Sequence, residues 1–235
     1  MDAAADRAQE ALASSWDVRS IGRARGGSRT TPLTERRWAH AVDSHWHLST
    51  TVRCQHRCIY CYEGDRTGFH DVPLKDAKRL VSLAAAEVPM VLFLGAEPTL
   101  NPHMPELIRH AVRLGLRAGI STNALCLADW GYLEELHRAG LDLVEFSFSY
   151  PDAETYAKIT GAAPANYVRL LRAVENLARW QETLGRSRSG GLFPNIVVNG
   201  YTIDRLEDTL RQLTRRLTPG RFILTLLRLH TAPHA

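Results

Sequence analysis

The chain contains no apolar run of about eighteen residues or more, so nothing in it is long enough to cross a bilayer as a helix. Its first residues, MDAAADRAQEALASSW, carry acids early and lack a continuous apolar stretch, which excludes a secretory signal of the usual form. Cysteine is scarce, with four in 235 residues. Three of those four sit together, which is no disulfide framework and suits a reducing compartment, so a cytoplasmic location is expected. A strong excess of one charge is also missing. Twenty-nine Lys and Arg face twenty-five Asp and Glu, a net +4 spread along the chain, too mild to argue a nucleic-acid partner.

What is present is enough apolar material for a core, at 45% of the residues. The composition changes near residue 44. Residues 1–43 include the small, basic, polar stretch GRARGGSRTTP (Gly22 to Pro32) and read as a flexible basic N-terminal extension, with Met1 to Ala13 as an Ala-rich helix at most. Residues 44–235 read as one core domain of alternating strands and helices.

The expected strands are His45 to Val52, Met90 to Leu94, Leu116 to Thr122, Leu141 to Ser149, Leu192 to Asn199 and Phe222 to Leu229. Between them run helices over Pro73 to Glu87, Pro105 to Leu114 (Leu107, Ile108, Ala111 and Val112 inward), Asp129 to Ala139 and Asn166 to about Trp180. A last helix begins at a capping-box-like pair, Asp204 and Glu207. Strict alternation implies a parallel sheet with right-handed crossovers, an α/β fold of the open, partial (β/α)6 TIM-type barrel kind. In such barrels the working residues lie at the C-terminal ends of the strands.

The stretch R-C-Q-H-R-C-I-Y-C-Y, Arg53 to Tyr62, follows the first strand and places Cys54, Cys58 and Cys61 within eight residues. Thiolates this close wrap around one inorganic centre, and iron–sulfur clusters and zinc both select such ligands. With His56 added, a structural Cys3His zinc site is the alternative, although the ligands lack the paired-knuckle layout. Three thiolates leave one iron of a cubane [4Fe-4S] cluster open, which points to catalysis. The other strand ends are small or polar too: Gly95-Ala96-Glu97-Pro98-Thr99, Thr122-Asn123, Ser147 with Ser149, and Asn199-Gly200. Glu97 read alone is as well suited to capping a helix.

C-x3-C-x2-C after the first strand, with G-A-E-P-T at the end of the second, resembles the radical S-adenosylmethionine (radical SAM) superfamily over roughly residues 45 to 229. The resemblance implies that Cys54, Cys58 and Cys61 hold the cluster and that S-adenosylmethionine chelates its fourth iron. It implies that Gly95, Ala96 and Glu97 receive the methionyl ammonium and that the backbone of Tyr60 meets the adenine. Ser147 or Ser149 would reach the ribose or carboxylate, Ile196 and Val198 would pack on the adenine, and Asn123 or Asn199 would complete the polar contacts. The implied activity is reductive cleavage to a 5′-deoxyadenosyl radical that abstracts hydrogen from a peptide, a protein or a small biosynthetic intermediate. An external donor such as a flavodoxin or ferredoxin would supply the electron.

The segment from Asp152, D-A-E-T-Y-A-K-I-T-G, is similar to that of members acting on peptides or as maturases. An RNA substrate is the alternative, met by the basic N-terminal segment, and a degenerate, non-catalytic metal-binding protein is a third reading. Where the family usually has Gly this chain has Ala96, which costs about 1 kcal/mol if the backbone there needs a positive φ. The fourth cysteine, Cys126, is expected half-buried at a helix start. No closing helix or cysteine-rich segment follows the sixth strand, so a truncated product or a chain completed by a partner is expected.

Overall fold

The structure, a computed structural model, describes residues 45–64, 66–183, 191–218 and 222–228. The expected N-terminal extension, the tail histidines His230 and His234 and all but the last residue of the polar stretch GRSRSGG (Gly185 to Gly191) lie outside them. Six strands, β1 (His45–Ser49), β2 (Met90–Leu94), β3 (Arg117–Thr122), β4 (Leu143–Ser147), β5 (Gly191–Val198) and β6 (Thr225–Arg228), form one sheet in chain order. Every pairing is parallel, and among the described residues none joins β6 to β1, so the barrel is open. The helices are α1 (Leu74–Glu87), α2 (Met104–Arg113), α3 (Trp130–Ala139), α4 (Ala153–Thr160), α5 (Asn166–Thr183) and α6 (Leu206–Thr214). Among the described residues no helix is long and apolar enough to cross a membrane.

Period-two alternation in the strands sorts side chains into two layers. Val91, Phe93, Ala118, Ile120, Val144, Phe146, Leu192 and Ile196 belong to one buried core shared with Ala77 and Val81 of α1, Leu107 and Ile108 of α2, Leu136 of α3 and Val174 of α5. The opposite parity faces the barrel interior. There Met90, Leu92 and Leu143 form a second buried cluster, with Leu94 and Phe193 packed on it, as the floor of the barrel. Gly119 lets that floor close: a Cβ at this position would stand 3.0 Å from Leu92 Cδ1 and 3.1 Å from Leu143 Cδ2.

Some expected details are corrected. The connection from β4 to β5 holds two helices where one was expected. The added one, α4, is capped by Asp152, whose carboxylate accepts from Thr155 N at 2.8 Å, and it stops at Gly161. Val112 is not inward but 41% exposed, at the end of α2 where the helix leaves the sheet. The Asp204–Glu207 capping box is not formed. Instead Asn199 Oδ1 accepts from Tyr201 N at 2.9 Å and Thr202 Oγ1 accepts from Asn199 N at 3.0 Å, winding the chain into a 3-10 turn (Ile203–Arg205) ahead of α6. Arg205 then lies between Asp152 and Asp208. β1 stops at Ser49, three residues early, because Thr50 is drawn away by side-chain bonds: its Oγ1 accepts from Asn101 Nδ2 at 3.0 Å.

Because Gly119 is where two leucines meet, Gly119→Val overfills the floor and is expected to lower stability by about 1–3 kcal/mol. The exposed Val168→Ala should stay within about 0.5 kcal/mol. Urea denaturation of both measures the contrast.

Candidate active site

The site begins with a loop that has almost no hydrogen bonds of its own. Within Arg53 to Tyr62 the one backbone bond is Cys61 N to Cys58 O, at 3.0 Å. Its other backbone-to-backbone bonds reach outside the loop. Arg57 N donates to Thr160 O at 2.7 Å and Ile59 N to Ile159 O at 2.9 Å, so the loop lies on the last turn of α4. At the other end Glu97 N donates to Arg53 O at 2.9 Å. Asp71 secures the approach, accepting from Thr51 Oγ1 at 2.6 Å and Val52 N at 3.0 Å and pairing with Arg53 at 2.7 Å.

Held this way, Cys54, Cys58 and Cys61 line a cavity of about 460 Å³ at the C-terminal mouth of the barrel, together with Gly95, Ala96, Asn123 and Ser147. His56 is turned to another purpose. It is buried, its Nε2 lies 2.7 Å from Tyr156 Oη, and burial lowers its pKa to about 4. Among the described residues no three His, Cys, Asp or Glu side chains gather round a single ion. A lone zinc needs its ligands on one tetrahedron with arms of about 2.3 Å, whereas a cubane spreads the same thiolates over a larger body. The donor set therefore fits a three-thiolate cluster better than Cys3His.

Cys54 and Cys58 are not poised as nucleophiles. Burial pushes Cys58 up to about 12, helped by the neighbouring Cys54 and Cys61, and burial also raises Cys54. Reactive cysteines show the reverse shift. Such thiols give up their protons when a metal centre takes them. Cys54 Sγ also accepts from His56 N at 3.3 Å, a bond of the kind that tunes cluster potential.

Glu97 does not face the cavity. It is wholly buried, and Oε1 accepts from Thr99 N at 3.0 Å, Thr99 Oγ1 at 2.5 Å and Thr122 Oγ1 at 2.6 Å, while Oε2 accepts from Asn123 N at 2.7 Å. Burial raises its pKa and these four bonds pull it partly back. The carboxylate thus caps the turn Pro98–Leu100 and ties the end of β2 to the end of β3. Asn123 passes the tie onward. Its Oδ1 accepts from Gln55 Nε2 at 3.3 Å, and its Nδ2 lies 3.8 Å from Cys54 Sγ.

Gly95 and Ala96 both have positive φ, 80° and 31°. Gly95 is obligatory for a second reason: a Cβ there would stand 2.0 Å from Ser49 Oγ. Ser147 reaches the cavity, but Ser149 does not, being buried with its Oγ accepting from Val197 N at 2.8 Å. Tyr60 is half-buried under the loop, its hydroxyl 3.3 Å from that of Tyr150. Ile196 has no exposed surface and Val198 packs on the same helix-side core, so the strand's alternation directs both side chains away from the cavity. Asn199 is spent on its turn. Cys126 is half-buried in the 3-10 turn Leu125–Ala128 and does not line the cavity. Residues the sequence reading missed are His47, Ser121, Glu145 and Asn195, all on the barrel lining. The signal was available: Glu145 shares its parity with Ser147 in LVEFS.

Gly95→Ala introduces both the clash and a strained φ, and should lower the melting temperature and the iron retained after reconstitution. Adding Ser49→Gly should recover part of that loss, since the clash goes and the strain remains. Asp71 is a pH probe. Burial would raise its pKa, but bonds from Thr51 and Val52 and the charge of Arg53 outweigh this and leave it below the ordinary value. A depressed carboxylate stabilises above its unfolded pKa and stops doing so as pH falls through the folded one. The stability gap between wild type and Asp71→Asn, read by urea denaturation, should therefore be widest at neutral pH and narrow below pH about 4.

The sequence model of the radical SAM superfamily matches residues 48–213. A probable GTP 3′,8-cyclase of Methanopyrus kandleri is 30% identical over 174 residues, 71% of this chain and 51% of that protein. The PqqA peptide cyclase of Rhodopseudomonas palustris is 34% identical over 141 residues, 58% of this chain and 36% of that protein. Among solved structures, Streptococcus suis SuiB bound to precursor peptide SuiA superposes with a TM-score of 0.62 at 17% identity, covering 79% of this chain and 39% of that one. Native anSMEcpe with bound AdoMet and Kp18Cys peptide gives 0.61 at 15%, covering 79% and 51%. At such identities the structures speak to the fold. The chain spans about half, or less, of the length of these relatives. With the match running from β1 into α6 and taking in all three cysteines, this chain belongs to the radical SAM superfamily.

Proposed function

We propose that the protein is a radical SAM enzyme holding a [4Fe-4S] cluster on Cys54, Cys58 and Cys61 and binding S-adenosylmethionine along Gly95, Ala96, Asn123 and Ser147. Its substrate is a peptide, a protein or a small biosynthetic intermediate, and its electron comes from an external donor such as a flavodoxin or ferredoxin. The observation that carries this reading is that three thiols and the left-handed Gly95-Ala96 turn border one cavity over a closed apolar floor. When bound, the cluster and cofactor together supply a 5′-deoxyadenosyl radical that takes a hydrogen atom from the substrate.

The chain's own residues supply position and exclusion of water. Gly95 and Ala96 offer backbone carbonyls to the methionyl ammonium, the backbone of Tyr60 meets the adenine, and Ser147 takes the ribose or carboxylate. Glu97 acts at one remove, as a positioning residue that fixes Asn123 and, through it, the flank of Cys54. Leu92 and Leu143 close the bottom of the barrel. The relatives named for peptide cyclisation and for GTP cyclisation support both substrate classes. The basic segment that an RNA substrate would engage lies outside the described residues.

The test is anaerobic reconstitution with iron and sulfide, then reduction in the presence of S-adenosylmethionine. Wild type should bind four irons and release 5′-deoxyadenosine, and Cys58→Ala should do neither. A colourless protein holding one zinc would overturn the reading.

A further inference from the structure

Below the thiols the barrel wall carries a polar band that neither the cluster nor its cofactor explains. Glu145 of β4 lies one pleat deeper than Ser147, beside Ser121 of β3 in the sheet register, and lines the same cavity. Its carboxylate has one hydrogen bond, from Asn195 Nδ2 to Oε1 at 2.5 Å, and takes part in no ion pair among the described residues. Asn195 is itself more than nine-tenths buried, and its Oδ1 has no hydrogen-bond partner. No lysine or arginine is among the described residues that line this cavity.

The basic groups facing Glu145 are imidazoles. His47 Nε2 is already 2.7 Å from His45 Nε2, so one of these two nitrogens donates to the other. Partial burial lowers the pKa of His47, His45 lowers it further, and Glu145 only partly opposes them. The band thus turns to the cavity a carboxylate that Asn195 holds from behind, while the guanidinium groups of Arg57 and Arg66 border the adjoining cavity beside Cys58 and Cys61.

We infer that Glu145, positioned by Asn195, is the substrate-recognition residue of this enzyme and that it takes a cationic, N–H-rich group, a primary amine or guanidinium carried on a peptide or small substrate. This rests on the function proposed above and narrows its substrate class. A charge-assisted bond in such a partly enclosed site contributes enough for a preference of about tenfold or more over an uncharged isostere.

The experiment uses the reconstituted protein and three capped amino-acid probes, Nα-acetyl-lysinamide, Nα-acetyl-norleucinamide and Nα-acetyl-glutaminamide, with affinities read by ligand-observed NMR titration. The lysine probe should bind wild type about tenfold or more tighter than the norleucine probe. Glu145→Gln should bring the ratio close to one, and Glu145→Asp should keep part of it. Melting curves of both variants show whether each is folded, and the aspartate variant preserves the test if the glutamine variant is not. Equal affinity for lysine and norleucine in wild type overturns the inference. So does a lysine preference that survives in Glu145→Gln, or no detectable binding of the lysine probe. Release of 5′-deoxyadenosine without a lysine preference sinks this inference alone, whereas a lysine preference in a protein that takes up no cluster sinks the enzymatic reading instead.

Discussion

A loop that brings three thiols to one cavity within eight residues is neither helix nor strand, so its backbone groups must find partners elsewhere. Most of the architecture around the site answers that requirement. The N–H groups of Arg57 and Ile59 reach the last carbonyls of α4, which a helix end leaves without internal partners. The carbonyl of Arg53 is taken by Glu97 N. One loop is thereby sewn to the connections after β2 and β4, and the cysteines inherit the rigidity of the sheet without belonging to it.

Glu97 shows how far this goes. A carboxylate taken fully out of water is costly unless its oxygens are satisfied. Here four donors from Thr99, Thr122 and Asn123 satisfy them. A neutral side chain would leave some of those buried donors unpaired, at about 1–3 kcal/mol each. The residue's chemistry is spent on holding two strand ends at a fixed spacing, and the cavity wall is left to Gly95, Ala96 and Asn123.

Much of this was legible in the sequence. Wholly apolar MVLFL and alternating LDLVEFSFS marked β2 and β4, and the residues that follow β1, β2 and β3 placed the cysteines, Gly95 and Asn123 on one rim. What was not legible has physical reasons. The helix α4 is only eight residues long, below what periodicity reveals, although Asp152 at its start and Gly161 at its end are readable stop signs. The side of Ile196 follows from register: Ser147 pairs with Asn195, so Asn195 faces the barrel and Ile196 the helices. Register depends on the partner strand, which local pattern does not supply. The choice of Glu97 between ligand and cap turned on burial, and burial is a tertiary property.

Ala96 is the remaining departure, and the same network explains why it is tolerated. A left-handed alanine costs about 1–2 kcal/mol, and such strain persists where the surroundings over-determine the conformation. They do so here. Gly95 on one side is pinned against Ser49, where even a methyl has no room. Glu97 on the other side is fixed by the hydrogen bond that its N–H donates to Arg53 O and by four hydrogen bonds to its carboxylate. The residue between them has no freedom to relax. Glycine at 96 would remove that strain but leave the backbone freer, so the alanine exchanges a little stability for a turn that is more restricted where the cofactor is proposed to lie.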